Sequence, residues 1–128
     1  MRGVLAAGHV LARIDGLADG AALGFNLTSE EWPLRGFVVR VGDAFHAYVN
    51  RCPHAGRPLN FVPGQFLSPD GALLQCHAHG ALFEKDTGLC IAGPCVDDSL
   101  RRLPVSVVDG ELRLAEELDT DRLARGPW

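Results

Sequence analysis

Two short strings of cysteine and histidine constrain what this chain can fold into. They read C-P-H at residues 52–54 and C-H-A-H at residues 76–79, and 21 residues separate them. Each string pairs a thiol with an imidazole, and both groups are metal ligands. Pro53 fixes one φ angle, while Gly56 and Gly80 follow the two strings at points where the backbone must bend. The pattern predicts two loops that approach one small group from two sides.

The segments around both strings resemble the Rieske family of iron–sulfur proteins, and among its members the small soluble Rieske-type ferredoxins. Residues 52–56, C-P-H-A-G, resemble the first ligand loop of that family, and residues 76–83, C-H-A-H-G-A-L-F, resemble the second. A D-T-G string at 86–88 and a G-P string at 93–94 follow, as they do downstream of the second loop in the family.

This resemblance implies one [2Fe–2S] cluster per chain, held by Cys52, His54, Cys76 and His79. In the family, both thiolates bind one iron and both imidazoles bind the other. Because neutral imidazoles donate less charge than thiolates, they favour ferrous iron. They thereby raise the reduction potential above that of a cluster held by four thiolates.

Zinc is the alternative occupant, since two cysteines and two histidines also make a tetrahedral zinc site. Zinc-finger spacings usually place cysteine with cysteine and histidine with histidine, whereas the pairs here are mixed. The Gly93-Pro94 segment would also have no role in a zinc site. The iron–sulfur interpretation is therefore preferred.

His77 is a second open point, because it directly follows Cys76 and also makes a mixed pair. The dipeptide His79-Gly80 matches the His-Gly of the family, so His79 is the expected ligand. His77 is then expected to point to solvent or to cap a loop amide; the alternative is that it displaces His79.

The residues around the two loops predict a low reduction potential. High-potential family members join the two loops by a disulfide, but Arg57 and Ala78 occupy the matching positions here. Those relatives also place serine and tyrosine hydroxyls near the sulfurs, where this chain has Ala81 and Phe83. Hydrogen bonds to sulfur stabilise the reduced cluster, so their loss lowers the potential. The lower end of the roughly −150 to +300 mV range is expected.

Length and charge exclude several other classes. A chain of 128 residues suits one domain, and a net charge of −4 gives no support to nucleic-acid binding. No apolar run approaches the roughly 20 residues of a membrane span, and residues 1–7 make a poor signal peptide. We therefore expect a cytoplasmic protein with no membrane partner.

Turn signals at regular spacing predict an all-β chain. The clearest hairpins are at residues 36–49, around Gly42-Asp43, and at residues 105–114, around Asp109-Gly110. Shorter strands are predicted at residues 9–14, 21–27, 73–75 and 81–83. The resemblance implies the Rieske fold of the iron–sulfur-protein type, with stacked antiparallel sheets and a small cluster-binding subdomain.

The predicted domain covers residues 1–116, with the cluster-binding subdomain at about 49–96. The resemblance is dense from Phe37 to Leu114, and residues 117–128 are predicted to be a C-terminal tail with a short helix or a frayed end. The stretch 58–70 is longer than the usual link between ligand loops. It is expected to be a packed surface loop, or alternatively a surface that docks a partner.

Cys90 and Cys95 remain outside the expected ligand set. They are expected to be two buried thiols, as cytosolic cysteines usually are. A local disulfide between them is the alternative.

The resemblance implies a one-electron carrier and not an enzyme. It would shuttle electrons from a flavoprotein reductase to a terminal oxygenase or another oxidoreductase. Two alternatives stay open: a non-catalytic small subunit of an oxidoreductase complex, and a redox-sensing domain. The sequence leaves the oligomeric state undecided.

Overall fold

The computed structural model describes residues 3–28, 34–53, 58–60, 62, 64–77 and 80–125. Within these ranges the chain forms twelve strands and one short helix. They are β1 (Val4–Leu5), β2 (Val10–Arg13), β3 (Ala22–Asn26), β4 (Arg35–Val41), β5 (Ala44–Val49), β6 (Leu74–Gln75), β7 (Leu82–Phe83), β8 (Cys90–Ala92), β9 (Arg102–Leu103), β10 (Val105–Val108), β11 (Glu111–Leu114), β12 (Leu118–Asp119) and α1 (Thr120–Arg125). The prediction of an all-β chain is confirmed.

The central sheet has the strand order β3-β4-β5-β9, and all its neighbours are antiparallel. Its longest pair is the predicted hairpin, in which Val41 lies opposite Ala44 across the two-residue turn Gly42-Asp43. Gly42 has a φ of +62°, and a tight hairpin turn of the II′ type needs such a residue first. The turn therefore fixes the register that carries β5 toward the first ligand loop.

The two faces of the central sheet cover two separate cores, because side chains alternate along a strand. Phe37 and Tyr48 face what we call the site core, whereas Val38 and Ala47, one residue along on each strand, face the second core. The buried residues of the site core are Phe37, Val39, Tyr48, Cys52, Leu59, Phe66, Leu74, Cys76, Ala81, Phe83, Cys90, Cys95 and Leu100. The second core includes Leu11 of β2 and Leu112 of β11, so it lies against the sheet of order β10-β11-β2.

A small sheet of order β6-β7-β8 packs on the site core. An isolated bridge between Leu67 and Leu74 widens it on one side, and a register shift between Leu82 and Phe83 bends its middle strand. This sheet carries Cys76 directly after β6 and Cys90 at the start of β8. It therefore places two of the four cysteines near one face of the central sheet.

The β10–β11 hairpin has the predicted bounds and the predicted turn. Asp109 and Gly110 have φ values of +53° and +77°, as a type I′ turn requires at both central positions. The prediction of this hairpin is confirmed.

The first and last strands of the described chain pair with each other. Val4 lies opposite Asp119 and Leu5 opposite Leu118, and Leu123 of α1 is buried in the second core. Leu118 and Leu123 thus pack on the second core, while the division into a domain at 1–116 and a tail at 117–128 stays a prediction. In the described part of the chain, no helix has the length and apolar character needed to cross a membrane.

Candidate metal centre

Cys52 lies just past the end of β5, where the backbone is fixed by two short hydrogen bonds. The Asn50 N–H donates to the Arg35 carbonyl oxygen over 2.8 Å, and the Arg51 N–H donates to the Val49 carbonyl oxygen over 2.9 Å. The Cys52 side chain is fully buried in the site core. Strand β5 therefore delivers this thiol inward.

Cys76 begins a tight loop at the end of β6. Its N–H donates to the Ala81 carbonyl oxygen over 2.9 Å, and its own carbonyl oxygen accepts from the Gly80 N–H over 2.8 Å. Gly80 has a φ of +76°, which only glycine adopts without strain. Cys76 is fully buried in the same core as Cys52. The two thiols thus enter one apolar interior from the ends of two strands.

Two successive hydrogen bonds through the buried residue Leu59 join the two ligand loops. The Asn50 Oδ1 atom accepts from the Leu59 N–H over 2.8 Å, and the Leu59 carbonyl oxygen accepts from the His77 N–H over 2.8 Å. The Asn50 amide nitrogen also donates to Asn60 Oδ1 over 2.9 Å. Sequence reasoning missed Asn50, because one asparagine two residues before a ligand carries no distinctive pattern.

The segment at Gly93-Pro94 forms a third loop against the second. Gly93 has a φ of +95°, and a Cβ at this position would lie 2.8 Å from the Cα of Ala81. Because no side chain fits into that gap, the two backbones can approach directly. This contact brings Cys95 into the site core beside Cys52 and Cys76.

The structure describes half of the predicted ligand set. Cys52 and Cys76 are brought together in one core, whereas His54 and His79 lie outside the described residues. Among the residues that are described, no three or more metal-ligating side chains are arranged around one point. The thiol half fits an iron–sulfur cluster, because cysteine thiolates are its usual ligands and burial shields them from water.

His77 differs from expectation. Its ring atom Nε2 is buried and has no hydrogen-bond partner within the described part of the chain, so the expectation that the ring points to solvent or caps an amide is wrong for this atom. The backbone N–H of His77 makes the loop contact instead, to Leu59. Leu59 is fully buried, so this backbone contact holds the start of the second loop against the site core.

Cys90 and Cys95 are both thiols and both buried, which confirms the expectation for this pair. Burial raises the pKa of the Cys95 thiol, and the neighbouring sulfur atoms of Cys90 and Cys52 raise it further. This thiol therefore stays protonated at neutral pH.

The stretch 58–70 is anchored by apolar side chains. Leu59 and Phe66 are buried, and the Phe66 ring stacks on the Phe37 ring with centroids 4.6 Å apart. The Phe66 carbonyl oxygen also accepts from the Gln75 N–H over 2.9 Å, which extends the small sheet. The expectation of a packed loop is confirmed for these residues, and a docking role stays a prediction.

Fold and site together define an all-β domain with two fully buried cysteine thiols at the roots of two adjoining loops. Residues 9–109 match the Rieske [2Fe–2S] domain family. Ferredoxin CarAc of Metapseudomonas resinovorans is 35% identical over 80 residues, which cover 62% of this chain and 69% of that protein.

Two solved structures have a similar fold. The ferredoxin of carbazole 1,9a-dioxygenase from Nocardioides aromaticivorans IC177 matches with a TM-score of 0.65 and 27% identity, over 86% of this chain and 98% of the other. A chain from a complex of reduced oxygenase and oxidised ferredoxin in carbazole 1,9a-dioxygenase matches with a TM-score of 0.60 and 24% identity, over 91% of this chain and 96% of the other.

The chain belongs to the Rieske [2Fe–2S] domain family. Membership implies a [2Fe–2S] cluster and confirms the predicted Rieske fold. The relatives are ferredoxins, so the prediction of an electron-transfer protein, rather than an enzyme in its own right, is also confirmed.

Proposed function

We propose that this chain carries one electron at a time on a single [2Fe–2S] cluster held by Cys52, His54, Cys76 and His79. The full burial of Cys52 and Cys76 in one core supports this proposal most directly. When bound, the cluster supplies reversible one-electron chemistry. The protein contributes two thiolates kept from water by the site core and two loops held together through Asn50 and Leu59.

The proposed partners are a flavoprotein reductase, which donates the electron, and a terminal oxygenase, which accepts it. A ferredoxin–oxygenase complex exists among the structural relatives, at an identity that shows the fold alone. We infer that docking uses exposed apolar side chains next to the buried cysteines. Val96 directly follows Cys95, and 51% of its surface is exposed. A cytoplasmic location is part of the same proposal.

Electron paramagnetic resonance (EPR) tests the cofactor. The dithionite-reduced protein should give the rhombic signal with a low average g that marks a [2Fe–2S] centre with nitrogen ligands. Iron and sulfide analysis should give two of each per chain, as one such cluster contains. A colourless sample that contains zinc would contradict the proposal and support the zinc alternative.

Docking is tested with two matched valines. Val96→Asp should slow reduction of the oxygenase several-fold, because a charge replaces an apolar contact. Val107→Asp is the control, since Val107 is 45% exposed on β10, in a different sheet. Equal rates for both variants and the parent protein would contradict docking at this loop. Recovery of a partner with no redox cofactor in a pulldown from the host would instead support the alternative of a redox-sensing domain.

A further inference from the structure

The strongest unassigned feature is the Cys90–Cys95 pair. The two Sγ atoms lie 2.9 Å apart, and the side chains are 1% and 3% exposed. A disulfide has a sulfur–sulfur distance of roughly 2.05 Å, so closing the bond needs a movement of less than about 1 Å. The pair is therefore positioned for oxidation although both residues are thiols here.

Backbone contacts hold the pair in place. The Cys90 N–H donates to the Asp98 carbonyl oxygen over 2.8 Å, and the Cys95 carbonyl oxygen accepts from the Asp98 N–H over 2.9 Å. Gly93, with its positive φ, reverses the chain between the two cysteines. Neither thiol belongs to the proposed ligand set of the cluster, so ligation does not explain why the two sulfur atoms face each other.

We propose that Cys90 and Cys95 form a redox-active pair that converts reversibly between two thiols and one disulfide. The oxidant is a low-molecular-weight disulfide, RSSR. One cysteine thiolate attacks RSSR, so that the S–S bond of RSSR breaks, one RS⁻ leaves and a mixed disulfide forms. The second cysteine displaces the other RS⁻. In total, two electrons and two protons pass to RSSR, which becomes two RSH.

Burial makes this conversion slow rather than impossible. Exchange requires access for the reagent, and the Cys95 side chain is buried inside the core. The residues around it, Pro94, Val96 and Asp97, are exposed, so a local opening of this turn reaches the sulfur. Disulfides in reducing compartments are typically transient and redox-sensing, which fits a slow, reversible pair.

Oxidation of the pair should also act on the cluster; this second part rests on the proposed function. The Cys95 Sγ–H group donates to the Cys90 Sγ atom over 2.9 Å, and both residues share the site core with Cys52. A thiol proton can turn to a neighbouring ligand sulfur, whereas a disulfide has no proton to donate. Since hydrogen bonds to ligand sulfur stabilise the reduced cluster, the disulfide form should hold the lower potential.

Peptide mass tests the disulfide. The holoprotein is equilibrated anaerobically with buffers of oxidised and reduced glutathione, quenched in acid, alkylated and digested with trypsin. Cleavage after Lys85 and Arg101 releases one peptide, residues 86–101, which contains Cys90 and Cys95 and no other cysteine. We expect this peptide to lose two hydrogens and take up no alkylating reagent as the buffer becomes oxidising, and to recover both thiols on return.

A matched variant tests the effect on the cluster. In the parent protein, oxidation should lower the ratio of reduced to oxidised cluster at a fixed ambient potential by three- to tenfold; tenfold equals about 59 mV for one electron. Cys90→Ser keeps the Cys95 thiol and a hydroxyl in place of the Cys90 thiol, but it cannot form the bond. Its cluster potential should therefore not respond to oxidised glutathione.

The possible outcomes test the redox pair and its effect on the cluster separately. A fully alkylated peptide in every buffer, a glutathione adduct on a single cysteine, or a cross-link from Cys95 to Cys52 would overturn the redox pair. An oxidised peptide with an unchanged potential would overturn the link to the cluster. Absence of the cluster signal together with an oxidised peptide would contradict the proposed function and leave the redox pair supported.

Discussion

The hydroxyl of Tyr48 donates a hydrogen bond to the carbonyl oxygen of Lys85 over 2.9 Å. Tyr48 is fully buried on β5 of the central sheet, and Lys85 lies in the turn that follows β7 of the small sheet. Arg102 of β9 covers this contact, since its guanidinium group donates to the Tyr48 oxygen over 3.3 Å and to the Asp86 carbonyl oxygen over 2.8 Å. The Tyr48 side chain therefore connects the central sheet with the small sheet, and these two sheets enclose the site core.

Tyr48 makes the fold sensitive to alkaline pH. Burial raises its pKa to about 12, above the value of about 10 in an unfolded chain. The folded state therefore resists ionisation, and stability is complete below pH 10 and falls between about pH 10 and 12 as the unfolded state gains charge. We expect the free energy of unfolding to fall by about 2–3 kcal/mol over this interval. Urea unfolding at a series of pH values measures this change.

Tyr48→Phe supplies the control for this prediction. The chain has one tyrosine, so the ultraviolet absorbance of tyrosinate in the parent protein, minus that of the variant, follows Tyr48 alone. In the variant, the free energy of unfolding should no longer show the decrease above pH 10 that is assigned to the Tyr48 hydroxyl. A tyrosinate transition near pH 10 in the folded protein would show that the hydroxyl is not shielded.

Gly93→Ala should destabilise the contact between the second and third loops. The added Cβ would lie 2.8 Å from the Ala81 Cα, at a φ of +95°. Gly8→Ala is the matched control, because Gly8 has a φ of +90° and no atom within 4 Å of such a Cβ. Both variants incur the strain of a positive φ, about 1–2 kcal/mol. Gly93→Ala should cost about 1–3 kcal/mol more in chemical unfolding, and equal costs would contradict the close approach.

Asn50→Ala should weaken the link between the two ligand loops. It leaves the N–H of the buried Leu59 without its acceptor, and an unpaired buried donor costs about 1–3 kcal/mol. Asn60→Ala removes the Asn50–Asn60 hydrogen bond, which is part-buried, and the exposed bond from Asn60 to the Val62 carbonyl oxygen, and it should cost less. The unfolding free energy and the rate of cluster loss under chelation check both variants. Equal effects would show that Leu59 finds another partner.

His79→Ala should abolish the EPR signal of the cluster, and His77→Ala should keep it. The His77 Nε2 atom has no partner in the described residues, so its removal breaks no hydrogen bond there. The reverse pattern of spectra would assign the ligand role to His77. If both variants lose the signal, His77 is needed for a reason other than ligation. Circular dichroism of both variants then shows whether the loss comes from misfolding.

The reduction potential should lie at the lower end of the Rieske range. Ala81 and Phe83 provide no hydroxyl donor after the second loop, and both are fully buried in the site core. Phe83→Tyr should raise the potential if its hydroxyl reaches a sulfur. Protein-film voltammetry measures both proteins, and a parent value above about +100 mV, well inside the class range, would refute the prediction.

Local sequence rules predicted the regular parts of the fold. The turns Gly42-Asp43 and Asp109-Gly110 set their hairpins, because a positive φ at those glycines matches the twist of the strands. The strands β1, β8, β9 and β12 were not predicted. They have two or three residues each and owe their strand form to distant partners, as in the pair Leu5–Leu118. No local pattern encodes such a pairing.

The candidate site also has some features that local sequence predicts and others that depend on contacts between distant residues. Its cysteines could be selected from their spacing to histidine, which is a local property. The hydrogen bonds of Asn50 depend on how separate loops pack, and the sequence contains no sign of them. The proximity of Cys90 and Cys95 could be anticipated from their spacing, as the alternative of a local disulfide, whereas their burial in the site core depends on packing. The backbone hydrogen bond of His77 likewise depends on Leu59, which comes from another loop.

The pairing of β1 with β12 bears on how the molecule is made. Val4 finds its strand partner only at Asp119, nearly the whole chain later. During synthesis, residues near the amino end must therefore wait until the ribosome has released those near the carboxyl end. Contacts so distant along the chain slow folding, because a long loop must close before they form. The pairing of β1 with β12 should therefore form late in folding, after the central hairpin has formed around Gly42.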